Sequence, residues 1–256
     1  MSRSRLVSSG ASSRRLLAAA ALVSAAVLCA SGCQGSALNE GPLKQMSADT
    51  SLTGRVTSVS IQDGRHGSVR VHPGNDGKVV IHRTVHYHDS AKPHPGQSLS
   101  DGSLTFSKGC DDCYIDYDLT VPATAKVSAS NSSGAVDITG VAAVKVSTDS
   151  GAVTLDRIAG AVDVDSSSGT VQGAGLGAGA ATAHSSSGRI DLAFARQPDS
   201  VTAETSSGAV QLAVPGGPYA VTTHTSSGSR SVSVPTGSGP AISVTTSSGD
   251  VVVKRA

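Results

Sequence analysis

Apolar and polar residues alternate along most of the chain after residue 54, and short steps of the approximate form Thr/Ser-Ser-Ser-Gly interrupt the alternation. Alternation with a period of two predicts β-strands. Seven steps end at glycines that are 17, 18, 19, 20, 20 and 21 residues apart, namely Gly134, Gly151, Gly169, Gly188, Gly208, Gly228 and Gly249. A repeat near twenty residues indicates stacked coils. The pattern therefore predicts an all-β fold, a single-chain β-solenoid of about seven to ten coils of 17–21 residues, with short strands joined at SSG turns.

The apolar positions change parity at each glycine. In the repeat around Gly208 they fall at odd offsets before the glycine (Val201, Ala203) and at even offsets after it (Val210, Leu212). We interpret the step as a corner with one inserted residue, where glycine adopts a backbone conformation closed to other residues. The serine directly before the glycine is expected to hydrogen-bond its neighbours there.

The last two repeats raise two further expectations. Arg230 occupies a position that is apolar in the other repeats, which implies a local register slip or a buried cation with a partner. The final strand ends in Lys254 and Arg255, and this charge is expected to protect an exposed sheet edge from aggregation.

Residues 1–32 are predicted to be a signal peptide of lipoprotein type. A basic segment precedes an apolar stretch over 16–30 that is too short to favour a membrane span. The segment ends in Ala-Ser-Gly before Cys33, the predicted lipid attachment residue. Because Ala30 stands where a lipobox commonly has Leu, ordinary cleavage remains an alternative, and either general secretory or twin-arginine export fits.

The rest of the chain divides into a predicted flexible tether, 33–53, and a β-solenoid domain, 54–256. Coils over 54–127 are expected to be less regular than the SSG repeats over 128–256. Export removes four arginines and no acid, which leaves 16 basic and 19 acidic residues and a net charge of −3. This balance argues against a nucleic-acid partner and against electrostatic binding to anionic lipid.

Cys110 and Cys113 are the two cysteines of the predicted domain. In an oxidising compartment such a pair is expected to form a disulfide. A redox motif would open a helix, whereas a strand-like segment follows here, and one C-x-x-C pair cannot supply four zinc ligands.

Three segments resemble a known family: VRVHPGNDGKVVIHR from Val69, YIDYDLTVP from Tyr114, and the repeated SSG-x-V-x-L. Together they are similar to the putative-adhesin domain-of-unknown-function family of bacterial envelope lipoproteins, over about residues 54–256. The resemblance implies a β-solenoid at the cell surface and brings no catalytic residues. Because related domains occur beside envelope-stress regulators, it also implies a second, regulatory role.

Two histidine-containing clusters are candidate metal sites. If the coils stack in chain order, Asp165, His184, Glu204 and His224 form a continuous outward ladder about 4.8 Å per rung. On the strand over 79–88, His82, His86 and His88 share one face. Imidazole and carboxylate groups at such spacing suit zinc or a shared titration, although the pattern itself favours a solvated polar face for both clusters.

No catalytic constellation stands out. The SSG serines lack triad partners and a strand-to-helix elbow, and aromatic residues for stacking on sugars make up only 2% of the chain. The sequence therefore predicts a non-enzymatic module without a cofactor, anchored by lipid to the outer side of the cytoplasmic membrane. It would bind a cell-wall polymer or an envelope protein. The alternative is a metal- or pH-responsive envelope-stress sensor that uses the His/carboxylate clusters, with zinc as the candidate ion.

Overall fold

The computed structural model describes residues 25–26, 42–62, 65–75, 77–88, 91–107 and 109–256, and its strands form two sheets. Sheet A contains, in spatial order, β1 (Ala25–Ala26), β2 (Lys44–Thr53), β5 (Lys78–Tyr87), β8 (Cys113–Pro122), β4 (Val69–Gly74), β10 (Val136–Thr139), β12 (Val153–Asp156), β14 (Val171–Leu176), β16 (Ile190–Phe194), β18 (Val210–Val214), β22 (Val251–Arg255) and β20 (Arg230–Val232). Sheet B contains β19 (Tyr219–Ser227), β21 (Thr236–Ser248), β17 (Ser200–Thr205), β15 (Ala181–Ser185), β13 (Val162–Ser166), β11 (Ala143–Thr148), β9 (Lys126–Asn131), β3 (Ser58–Ile61), β7 (Ser103–Ser107) and β6 (Gly96–Ser100). Within these ranges the chain offers no helix of the length and hydrophobicity that a bilayer span requires.

Each regular coil consists of one strand of sheet B, an SSG step and one strand of sheet A. Successive coils pair in parallel and in register, as β11 does with β13 and β12 with β14. The predicted all-β solenoid is confirmed. In the described part of the chain, seven coils of this kind can be traced from β9–β10 to β21–β22, and two further coils, β3–β4 and β7–β8, lack the SSG step.

Because of the predicted change of parity, the alternating apolar residues of both strands point into the coil. Equivalent residues of successive coils then stack in rows, which we call the apolar columns. The positions two residues after each glycine are at most 1% exposed from Val136 to Val251, except at Arg230. Those on the sheet B side, such as Val201 and Ala203, are also buried, except in β19. Small aliphatic residues can build this core because each coil covers the apolar positions of the next.

The SSG glycines are needed for close contact between coils, not for an unusual backbone conformation. None of them has a positive φ, so the expectation of a special conformation is wrong. A Cβ atom on Gly151 would lie less than 3.0 Å from the carbonyl oxygen of Gly134, and the same relation recurs along the stack. The resulting glycine column comprises, in spatial order, Gly67, Gly134, Gly151, Gly169, Gly188, Gly208, Gly249 and Gly228.

The side chain three positions before the glycine stabilises the corner, and the serine directly before the glycine contributes its main-chain N–H, as Ser207 does to the Ser186 carbonyl at 3.1 Å. Thr205 is 6% exposed; its hydroxyl accepts the Gly208 N–H at 3.2 Å and donates to the Gly188 carbonyl of the neighbouring coil at 3.2 Å. Similar buried side chains line the other corners: Asn131, Thr148, Ser166, Ser185 and Thr246. Satisfying these backbone groups is necessary because they are shielded from water.

Coil order departs from chain order at both ends. The last coil, β21–β22, lies between β17–β18 and β19–β20, so β19 and β20 form the edges. At the other end β7–β8 lies outside β3–β4. Lys254 and Arg255 are therefore not on the edge strand, contrary to expectation. Arg230 pairs in register with Val251 and is exposed, so neither a register slip nor a buried cation occurs there.

The N-terminal part is more ordered than the sequence predicted. Residues 44–53, assigned to the flexible tether, form β2, which pairs antiparallel with β5 over ten positions. The regular stacking also starts at β3–β4, not at residue 128, because these strands pair in register with β9 and β10. Of the predicted signal peptide and tether, residues 1–24 and 27–41, including Cys33, lie outside the described residues.

Candidate functional site

A polar ladder runs across the outer face of sheet B. Its members pair in the order Ser130, Ser147, Asp165, His184, Glu204, Thr245 and His224. The predicted neighbours Asp165, His184 and Glu204 are indeed consecutive, and His184 Nδ1 lies 3.3 Å from Glu204 Oε2. His224 does not follow Glu204, because the inserted last coil places Thr245 between them. Glu204 and His224 are therefore separated by two strand spacings, about 9.6 Å.

A shallow groove of about 450 Å³ follows this ladder along the SSG corners. Its lining consists of hydroxyl, carboxylate and imidazole groups from four neighbouring coils and the inserted one, including Asp149, Asp165, His184 and Glu204. Serines in the second position of the steps, such as Ser186 and Ser206, complete the wall. The groove therefore offers many hydrogen-bonding groups, and its surface is more polar than apolar.

A second row on the same face consists mainly of hydroxyl side chains, which we call the hydroxyl row. In spatial order it contains Ser98, Thr105, Ser60, Ser128, Lys145, Asp163, Thr182, Thr202, Ser243 and Thr222. Lys145 and Asp163 form an ion pair at its centre, and this hydrogen bond raises the pKa of the exposed lysine. Because the strands from β7 to β19 are parallel and in register, the side chains of the row recur there at about 4.8 Å.

The predicted histidine strand is β5, and its faces are as expected: Val79, Ile81 and Val85 are buried, whereas His82 and His86 point outward. His88 directly follows the strand. The histidines do not converge. His82 Nδ1 lies 2.6 Å from Asp49 on β2, and His86 Nε2 lies 2.9 Å from Asp116 on β8.

On this face, Asp116 accepts hydrogen bonds from two residues, Ser68 and His86. Its Oδ1 accepts hydrogen bonds from the Ser68 N–H at 2.7 Å and the Ser68 hydroxyl at 2.8 Å. Burial alone would raise the pKa of Asp116, but the bonds from Ser68 and His86 outweigh it and hold that pKa below the ordinary value. His86 also stacks on Tyr114, with ring centroids 4.4 Å apart.

Within the described ranges, no three His, Cys, Asp or Glu side chains come close enough together to hold a metal ion. Each candidate cluster instead supplies pairs of one imidazole and one carboxylate, as in His184–Glu204 and His82–Asp49. Cys110 and Cys113 are joined in a disulfide at the corner between β7 and β8, where the SSG step is missing.

The sequence did not single out two other polar features. Ser133 Oγ lies 2.7 Å from His66 Nδ1, but within the described chain no carboxylate contacts the other ring nitrogen of this exposed pair. A serine nucleophile requires a base that a third group orients. Arg83, on the inward face of β5, is 5% exposed and donates to Gln97 Oε1 at 2.6 Å, and burial lowers its pKa. Its inward position was visible in the alternation, but its polar partner on β6 was not.

The parallel coils, the two sheets and the glycine corners define this chain as a β-solenoid. It belongs to the Toastrack DUF4097 family, whose profile matches residues 97–254, more than half of the chain. This membership confirms the resemblance to the putative-adhesin family. No curated protein matches the chain at a significant level.

Several solved structures are similar to this chain. A putative adhesin from Bacteroides fragilis is 15% identical, with a TM-score of 0.42 over 83% of this chain and 97% of the other. A putative adhesin from Parabacteroides merdae is 12% identical, with a TM-score of 0.41 over 82% and 96%. A putative cell adhesion protein from Clostridium sporogenes is 12% identical, with a TM-score of 0.36 over 81% and 99%.

Proposed function

We propose that this protein is an exported, lipid-anchored, non-catalytic surface module that binds a cell-wall polymer through the outer face of sheet B. The observation that carries the proposal is the hydroxyl row, which runs beside the groove over the same strands. The predicted signal peptide and Cys33 support export and attachment to the outer side of the cytoplasmic membrane.

The chemistry of this face suits an extended polymer better than a compact ligand. The groups are repeated, shallow and mostly uncharged, and each hydrogen bond contributes only about 1 kcal/mol net. Binding must therefore add up over many repeats, as a linear glycan or wall polymer allows.

Retention on insoluble peptidoglycan tests this proposal. Residues 34–256, which contain every strand from β2 to β22, would be compared with the Thr182→Lys/Thr202→Lys variant. The matched control is Gln172→Lys/Gln211→Lys, which adds the same charges to the outer face of sheet A, on β14 and β18 at either side of β16. We expect retention of the wild type and the control and loss in the hydroxyl-row variant. Equal retention of all three proteins, or no retention of any of them, would contradict the proposal.

The second candidate is an ion-responsive envelope sensor, which the His184–Glu204, His82–Asp49 and His86–Asp116 pairs favour. A calorimetric zinc titration distinguishes it from the surface module. Saturable binding that disappears in His184→Ala, or in His82→Ala/His86→Ala, would support the sensor and locate its site. Absence of saturable binding would leave the surface module as the better account.

A further inference from the structure

The C-terminal end of the solenoid is an uncovered coil. In β19–β20 the inward positions are incompletely buried: Val232 is 39% exposed, Arg230 is exposed and Val221 is partly buried. The equivalent residues of the coil beneath it, Ile242 and Val251 among them, are at most 1% exposed. The apolar columns of the core therefore reach the surface at this end.

The sheet B edge of this coil lacks the features that usually prevent strands from pairing between molecules. Natural edges are short, charged, bulged or interrupted by proline. β19 is nine residues long, and from Val221 to Ser227 it contains no proline, no glycine and no ionisable residue except His224. Its register irregularity is confined to its start, at Tyr219 and Ala220.

The other edges differ from β19. On the same end, β20 has only three residues and carries Arg230. On the opposite end of sheet B, β6 has five residues and begins with Gly96. At the far end of sheet A, β1 pairs with only two residues of β2, and β2 carries Lys44 and Asp49. Within the described chain, β19 is thus the long, neutral edge on which a further strand could add.

We propose that two copies of this chain pair through β19, antiparallel and about a two-fold axis, so that sheet B continues across the dimer. A two-fold axis pairs identical surfaces, and identical strands then run antiparallel. With Thr223 at the centre, Val221 faces Thr225 of the second copy, and Thr222 faces His224. No like charges meet, and threonine pairs suit cross-strand positions.

This arrangement also explains what covers the open core. Val232 and Val221 lie at the end of the apolar columns, and a second copy stacked end to end would reduce their exposure. Arg230 donates to the Thr223 carbonyl at 3.4 Å, near the long limit for a hydrogen bond, so it competes only weakly with a partner strand for that oxygen.

The two β2 ends would lie at opposite extremes of the dimer, because β2 is near the far end of sheet A. If both copies are anchored, they would connect two facing surfaces. This consequence alone rests on the proposed anchor, whereas the pairing itself is tested with the unanchored chain.

Sedimentation velocity of residues 34–256 over a hundredfold range of concentration tests the pairing. We expect a reversible dimer. In Thr222→Lys/His224→Lys, two pairs of lysines face each other across the interface. Their repulsion should raise the dissociation constant of the dimer at least about tenfold. A 1:1 mixture with Thr222→Glu/His224→Glu should restore it as a heterodimer. Both side chains point outward, so these changes spare the core.

The matched control is Ser98→Lys/Ser100→Lys on β6, at exposed positions of the opposite edge. It should dimerise like the wild type. A wild type that remains monomeric throughout, a dimer that the β19 lysines leave intact, or a dimer that only the β6 lysines disrupt would each overturn the proposal.

Discussion

The carbonyl oxygen of Gly134 occupies the space that a Cβ atom of Gly151 would need. The same contact links Gly169 to Gly151 and Gly188 to Gly169, so the corners of successive coils touch through their main chains. The adjacent buried hydroxyls bond to these same glycines. Regular spacing of the outer-face side chains, and therefore the candidate site, depends on this close corner packing.

The glycine column should not tolerate a methyl group. In Gly151→Ala the new Cβ would meet main chain that cannot move aside, so we expect a loss of about 2–4 kcal/mol in the free energy of unfolding. In the control Gly217→Ala, the nearest atoms belong to the flexible end of Gln197, and the change should stay within about 0.5 kcal/mol. Urea denaturation measures both; similar losses would mean that the close contact is not the cause.

The buried corner hydroxyls should contribute more than outward hydroxyls on the same strand. Thr205→Val keeps the shape but leaves the Gly208 N–H and the Gly188 carbonyl without their partner, which should cost about 1–3 kcal/mol. Thr202→Val, at the outward face of β17, should change stability by less than about 0.5 kcal/mol. The comparison uses thermal and urea unfolding, and equal effects would argue against a structural role for the corner bonds.

Replacement of Arg230 should hardly change the free energy of unfolding of the monomer. Because its coil lies at the end of the stack, Arg230→Val should change the free energy of unfolding by about 0.5 kcal/mol or less. The reverse change at its register partner, Val251→Arg, would bury a charge and should cost more than about 4 kcal/mol. Urea unfolding at protein concentrations where the chain is monomeric measures both changes, and a large stabilisation of the monomer by Arg230→Val would contradict the exposed position of this residue.

Asp116 should make stability depend on acidity. Its pKa is lowered in the folded protein, so its contribution is present above the unfolded value, near 3.8, and is lost as the pH falls through the lower folded value. The stability difference between wild type and Asp116→Asn should therefore shrink from pH 6 towards strong acid, about pH 2. Ser68→Ala removes one of the bonds and should reduce that pH dependence. A difference that is constant with pH would contradict the assignment.

The period of the SSG steps and the change of parity were sufficient to predict the solenoid and its inward columns. The reason for the glycines was not predictable, because the oxygen that excludes a side chain at Gly151 belongs to another coil. Local sequence likewise indicates a polar corner, but not that the hydroxyl of Thr205 would be the group that accepts the Gly208 N–H.

Coil order escaped prediction because all SSG repeats can pair with one another in the same register. The order is nevertheless explicable from residues. β19–β20 carries Thr223 and Arg230 at inward positions, whereas the last coil has Val244 and Val251 there. Placing the more apolar coil inside avoids burying the guanidinium. For the candidate site, the same inversion separates His224 from Glu204.

The wrong prediction of a flexible tether at residues 44–53 has a different cause. β2 reads as a polar segment, MSADTSLT, with few large apolar residues, so its alternation was too weak to distinguish from a tether. It is held by antiparallel pairing to β5, a partner some thirty residues further along the chain. The pairing of His82 with Asp49 was invisible for the same reason.

Engineered disulfides provide the most direct test of the central claim, that the last coil lies between β17 and β19, on which both the ladder and the free edge depend. Glu204 and Thr245 are register partners on adjacent strands, about 4.8 Å apart, within the range that a disulfide spans. Glu204 and His224 are two rungs apart, about 9.6 Å, which is too far. Mass spectrometry of residues 34–256 should find an intramolecular bridge in Glu204→Cys/Thr245→Cys and none in Glu204→Cys/His224→Cys. The opposite result would show that the coils follow chain order and would contradict the account.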